Sequence, residues 1–288
     1  MTRRIAAALA ALALLPALLA AGSAAAEGAL RGYSKEDGYI YVTLGEYPQK
    51  IDGGEPSPEN AAKWKKDFRD REEAAKKAAR ENTEYTDPLD GREPEREPIL
   101  WRVLSADEEK IYLYSEYILF ASPVHQNQKE FVSFKGDFRL TELHGKLNGE
   151  FLETAFTEAE RGLLLETEEL GTVFLASNKE LGNKALGFGT NKSRKAWATE
   201  YAVRITGAFV YKPAVGQHTP YWTRTASTSD KKHNCCIKQE GDIGRINCIT
   251  LNEGARPAVY LKPEGWTITG GSGTFEDPYT LTAEEQGT

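Results

Sequence analysis

Strand-like runs crowd the two ends of this chain, with helical patterns between them. That order excludes a regular alternation of strand and helix around a parallel sheet and predicts an α+β fold. The stretch "DGYIYVTLGEYPQKI" alternates Tyr39, Tyr41 and Thr43 with Ile40, Val42 and Leu44, which predicts a strand with one buried face, ended by Gly45 and Pro48. "ILWRVLS" and "KIYLYSEYILF", separated by "ADEEK", read as a hairpin of core strands. Later come "TVFLAS", "YWTRTAS", "GRINCITLN" and "ARPAVYLK", and the glycines of "GWTITGGSGTFEDPYTL" predict a small terminal hairpin at 266–282. Between them, Leu140, Leu143 and Leu147 form a helical stripe that Asn148-Gly149 should break, and Thr157 with Glu160 supplies a capping box for a second helix.

Residues 56–95 differ in kind and read as an insertion. Ser57 and Pro58 suit a helix start, and the charges fall four apart: Lys63 with Asp67, Lys66 with Asp70, Arg69 with Glu73, Glu72 with Lys76 and Lys77 with Glu81. The apolar stripe is thin, so the expectation is a solvated helix docked by Trp64 and Phe68, or one that offers this aromatic pair to a protein partner. At the N-terminus, Arg3 and Arg4 precede an apolar run from Ile5 to about Leu19 and small residues ending Ala24-Ala25-Ala26. This is the pattern of a signal peptide over residues 1–26, with an uncut membrane anchor as the rival reading. The rest, 27–288, is expected to be a single soluble domain that is secreted, either periplasmic or extracellular.

Loss of Arg3 and Arg4 takes the formal charge from −7 to −9, which disfavours nucleic acid and anionic membrane as partners. The three cysteines, Cys235, Cys236 and Cys248, are an odd count for an oxidising compartment. One disulfide, from Cys235 or Cys236 to Cys248, would contribute about 3 kcal/mol at most. No hydrolase, zinc-protease or phosphate-loop motif is present, the four histidines are scattered, and no metal, cofactor or catalytic residue is expected.

The succession "VTLGEYPQ", "EPILWRVLS", "IYLYSEYIL", "KLNGEFLETAFTEAER", "VFLAS", "TEYAVRITGA", "YWTRTAS" and "GARPAVYLK" resembles a bacterial secreted family of unknown function. Its members carry a W-x-L-R-S element, here around Trp101, and end in G-x-R-P-A, here Gly254 to Ala258. The resemblance implies a C-type lectin-like fold, related in architecture to formylglycine-generating enzymes, with paired terminal strands, flanking helices and a long late loop as the variable surface. The lectin calcium motif is missing, since Glu97-Pro98 is followed by Ile99, and the three cysteines do not fit the oxidase arrangement.

In "TPYWTRTAS", Tyr221 and Trp222 should point to opposite faces of a strand, so that only one enters the core. The resemblance makes that one Trp222. Trp101, Trp222, Arg224 and Arg256 then read either as structural pins or as the floor of a ligand site. The rim of that site would be the loop 225–254, and its binding residues Tyr221, His233, Asn234, Gln239, Asp242, Arg245, Asn247 and Asn252. Three functions stay open: a non-enzymatic domain that binds a carbohydrate, peptide or protein outside the cell; an enzyme of the formylglycine-oxidase or hydrolase kind; and an interaction module working through the charged helix.

Overall fold

The computed structural model describes residues 29–284; the signal-peptide expectation for 1–26 lies outside them. The chain is α+β, with two sheets. It begins with β1 (Ile40–Lys50), the long helix α1 (Pro58–Glu81), β2 (Glu95–Ala106), β3 (Ile111–Ser115) and β4 (Phe120–Ala121). Short helices follow: α2 (Gln128–Ser133), α3 (Glu142–Lys146), α4 (Leu152–Ala155) and α5 (Glu158–Leu163). After β5 (Val173–Leu175) come α6 (Asn191–Arg194) and α7 (Glu200–Arg204). The late strands are β6 (Tyr221–Ala226), β7 (His233–Ile237), β8 (Ile243–Asn247), β9 (Gly254–Ala255), β10 (Pro257–Leu261), β11 (Trp266–Gly270) and β12 (Tyr279–Ala283).

One sheet has seven strands in the order β11-β12-β1-β2-β3-β10-β5; the other has five, β4-β9-β6-β7-β8. β1 pairs β12 in parallel, Val42 opposite Tyr279, so the two ends of the described chain adjoin. β3 is buried along its whole length because the larger sheet is covered on both sides. Trp101, Leu113 and Val259 face one core with Phe151 and Phe156, while Tyr112, Tyr114 and Ala258 face a second core with Trp64, Ala202 and Val203.

Gly45 does not end β1. It sits at a positive φ of 68° in a bulge between Thr43 and Glu46, where a Cβ would lie 2.5 Å from the Ala155 carbonyl oxygen, and the strand runs on through Pro48. Asn148-Gly149 does not break the helix either. α3 continues through a π turn at Leu147–Phe151 into α4, and the Asn148 side chain is used instead to clip the edge of β5. Its Oδ1 accepts from the backbone N–H of Thr172 and Val173, and its Nδ2 donates to Val173 O at 2.9 Å. Leu140 stands exposed before Thr141, which caps α3, so the predicted leucine stripe has only two buried members, Leu143 and Leu147.

α1 starts on Ser57, whose hydroxyl accepts from the Asn60 N–H, and stops at Asn82 in the left-handed conformation. It is not a solvated arm. Trp64 is buried in the second core, which removes it as a contact for a partner, while Phe68 is half-buried. Of the five expected four-apart charge pairs, only Lys66–Asp70 and Glu72–Lys76 form. Asp67 turns inward to Arg71 at 3.1 Å and to Arg204 of α7 at 2.9 Å, and Arg71 also reaches Asp87 at 2.7 Å. The Arg204 and Arg92 guanidiniums hold Asp52 below the usual carboxylate range, so this network ties the helix to α7 and to the end of β1.

Candidate functional site

The residues expected to make one site are spread over three places. Tyr221 is fully buried in the second core and donates its hydroxyl to Arg194 O at 2.6 Å; Trp222 is buried in the first core, with Nε1 donating to Ser122 O at 2.8 Å. Both aromatic residues are therefore interior, because β6 has a core on each side, and Tyr221 offers no platform to a ligand. Asn234 is interior as well, its Nδ2 donating to Thr223 O at 2.8 Å.

His233, Arg245 and Asn247 lie on the β7–β8 hairpin, with His233 opposite Asn247 and the exposed Arg245 opposite Cys235. Asn247 Oδ1 accepts from Gln128 Nε2, and His233 Nδ1 lies 2.8 Å from Asp230. Gln239 and Asp242 belong to the tight turn between these strands, where the Lys238 N–H donates to Asp242 O. Asn252 stands apart from all of them.

Trp101 Nε1 donates to Leu44 O, and Arg224 forms a bidentate pair with Glu180 at 2.6 and 3.0 Å while donating to Leu175 O. Arg256 is completely buried. Its Nε donates to Ser115 O, its guanidinium lies 4.2 Å from the Tyr114 ring centroid and 5.6 Å from that of Tyr221, and Glu116 is 4.0 Å away.

The disulfide does not form: Cys235, Cys236 and Cys248 are free thiols. The reason is register. Cys248 donates its N–H to Lys232 O, which places it about 10 Å or more along β7 from Cys235 and Cys236, beyond the reach of a disulfide. Burial pushes the Cys248 thiol up to about 11 and raises that of Cys236 further. Among the described residues, no three His, Cys, Asp or Glu side chains gather as metal ligands would.

The structure assembles a different surface. Lys65, Phe68, Arg69 and Glu72, at helical spacing along one face of α1, line a groove of about 680 Å³ against the segment 206–210 and Leu251-Asn252. Gly207 adopts a positive φ of 77°, and a Cβ there would lie 3.1 Å from the Phe68 ring. The Phe209 N–H donates to Asn252 O at 2.9 Å and the Thr206 hydroxyl to Ala202 O at 2.7 Å, so the two loops are pinned to each other and to α7.

Of the nine large hydrophobic side chains exposed among the described residues, six fall on 205–215 and 249–251, which marks this face apart from the rest of the surface. Leu251 is 67% exposed and Phe209 37%. The groove's cations are crowded. Burial, then Arg69 and Lys212, lowers the Lys65 ammonium below the usual lysine range, and none of the three forms an ion pair among the described residues. The Lys65 ammonium sits 5.6 Å from the Phe209 ring centroid, and that of Lys212 5.4 Å from the Tyr211 ring centroid.

A family model described as a domain of unknown function (DUF6273) matches residues 108–263, more than half of the chain. The chain belongs to the DUF6273 family. No curated protein and no solved structure matches it. The DUF6273 match includes the two groove loops but stops short of α1, which supplies the opposite wall. Phe209, Tyr211 and Leu251 were not legible as site residues. The one available signal was "GAFVYKP", an apolar run too short and too close to Pro213 to make a core strand.

Proposed function

We propose that this protein is a non-enzymatic binding domain whose ligand is a peptide or protein segment combining acidic and apolar side chains, held in the groove between α1 and the loops 206–210 and 251–252. The observation that carries the reading is that Lys65 and Arg69, with Lys212 nearby, have no carboxylate partner among the described residues beside exposed Phe209 and Leu251; Lys65 donates only to the Tyr211 carbonyl, and burial, then Arg69 and Lys212, disfavours its charge. An acidic residue would relieve the repulsion, and an apolar neighbour would cover the two side chains. The groove sets the apolar side chains of Phe68, Val203, Phe209 and Leu251 beside the charges of Lys65 and Arg69, a mixture that suits a peptide with both kinds of side chain.

The test is a displayed random peptide library selected on the purified protein, followed by affinity measurements on the winning peptide. A motif of acidic and aromatic or aliphatic residues is expected. Lys65→Glu, Arg69→Glu and Phe209→Ala should each weaken it by about tenfold, or about 1.4 kcal/mol, with thermal unfolding unchanged. Selection of no common motif, or binding indifferent to all three variants, would overturn the reading.

The setting we propose is outside the cytoplasm, after removal of residues 1–26. Buried thiols raised well above neutral pH are compatible with an oxidising compartment. Protein recovered from the culture medium should begin at Glu27; a chain that keeps residues 1–26 would refute this. The fold we propose is a C-type lectin-like variant in a single domain. The adjacency of the first and last strands, β1 beside β12 in parallel, supports it; the segment between β6 and β9, expected as a long loop, is instead the antiparallel hairpin of β7 and β8.

A further inference from the structure

A second cavity, of about 580 Å³, opens away from the groove, where the outer halves of β1 and β2 meet the start of α7 and the loop of the terminal hairpin. Its lining carries four carboxylates, those of Glu55, Glu97, Glu200 and Glu276, against one lysine. Gln49, only 7% exposed, donates its Nε2 to Glu97 O at 2.9 Å and to Pro98 O at 3.1 Å. Two carbonyls accept from the same nitrogen, so the amide can point only one way, and its Oε1 accepts from no protein group among the described residues.

Lys50 is the cavity's only cation, and it is neutralised between Glu55 at 2.9 Å and Glu97 at 3.2 Å. Glu200 is also spent: its Oε2 accepts from the N–H groups of Ile51, Asp52 and Gly53, and its Oε1 from Arg204. Glu276, on the rim, has no ion-pair partner among the described residues. Two aromatic residues complete the wall. Tyr117 is half-buried, and Phe275, 41% exposed, packs edge-on against Tyr41 at 5.4 Å. The loop that carries Phe275 and Glu276 is preformed, because Tyr41 N donates to Gly273 O and Ser272 N to Asp277 O, both at 2.9 Å.

We infer that this cavity is a binding site for a small organic ammonium or guanidinium ion. A fixed bare acceptor, surplus carboxylate and aromatic faces together suit a cationic hydrogen-bond donor, and the same carboxylates repel an anion. The site is independent of the peptide groove in residues and in sign of charge.

Ligand-observed NMR and calorimetry on the purified protein, with benzylamine, 1,4-diaminobutane, butylguanidine and choline as probes and benzyl alcohol as the neutral match for benzylamine, would test it. At least one cation should bind saturably, about tenfold or more tighter than benzyl alcohol, and weaken with added salt. Phe275→Ala and Glu276→Gln lie on the hairpin loop outside both cores. Each should reduce that affinity about tenfold without lowering the melting temperature, whereas Phe209→Ala should leave it unchanged. Failure of all four cations, equal binding of benzyl alcohol, or indifference to both loop variants would overturn the assignment. So would a neutral saccharide that binds with the same variant sensitivity.

Discussion

Tyr221 and Trp222 show how much a residue's role depends on what lies beyond its own strand. Alternation correctly sends them to opposite faces, but the second face of β6 is covered by residues around Arg194, 27 positions earlier, so both rings are interior. Glu253 is a sharper instance. It lies just before β9, 5% exposed, its Oε2 has no hydrogen-bond partner among the described residues, and burial pushes its carboxyl up to about 7. The folded chain thus keeps this proton at pH values where the unfolded chain has lost it. The stability it contributes is full below about pH 4.5 and is lost as the pH rises through 7. Glu253→Gln should match the parent in urea unfolding at pH 4.5 and exceed it at pH 8 by up to about 3 kcal/mol; equal midpoints at both pH values would contradict this.

At the scale of elements, α1 was recognisable in its beginning and its length, but its relation to the body was not. Ala61 and Trp64 join it to the second core, Ala78 is buried as well, and the ion network through Asp67 and Arg71 ties it to α7. Trp64→Ala should cost about 3–5 kcal/mol and Phe68→Ala only about 1–2 kcal/mol, measured by denaturant unfolding. Deletion of residues 56–95 should abolish cooperative folding, where an independent insertion would leave it intact. The π turn at Leu147–Phe151 teaches the same lesson from the other side. Asn148-Gly149 is a poor helical pair by local propensity, yet the hydrogen bonds that Asn148 makes to Thr172 and Val173 across the fold hold it there.

For the whole molecule, the larger sheet is the deciding object. It takes β3, β5 and β10 from within residues 108–263 and β1, β2, β11 and β12 from outside them. The matched segment therefore ends inside a continuous sheet. Expressed alone, residues 108–263 should give a poorly dispersed NMR spectrum and no cooperative melt, because Leu113 would lose its β2 partner Val103, the first core would lose Val42, Leu44, Trp101 and Leu281, and the second would lose Trp64. A well-dispersed spectrum from that fragment would show instead that the outer strands are dispensable.

The sequence by itself determined the elements whose signals are local: the α+β order of segments, the cap of α1 at Ser57, the capping box at Thr157 and the terminal hairpin turn. Each depends on residues a few positions apart. Only the tertiary structure decided that Tyr221 is interior, that Cys248 cannot meet Cys235 or Cys236, and that Lys65 and Arg69 stand opposite Phe209 and Leu251. Those facts follow from strand register and from packing between segments from 27 to well over a hundred residues apart, which local propensity does not encode.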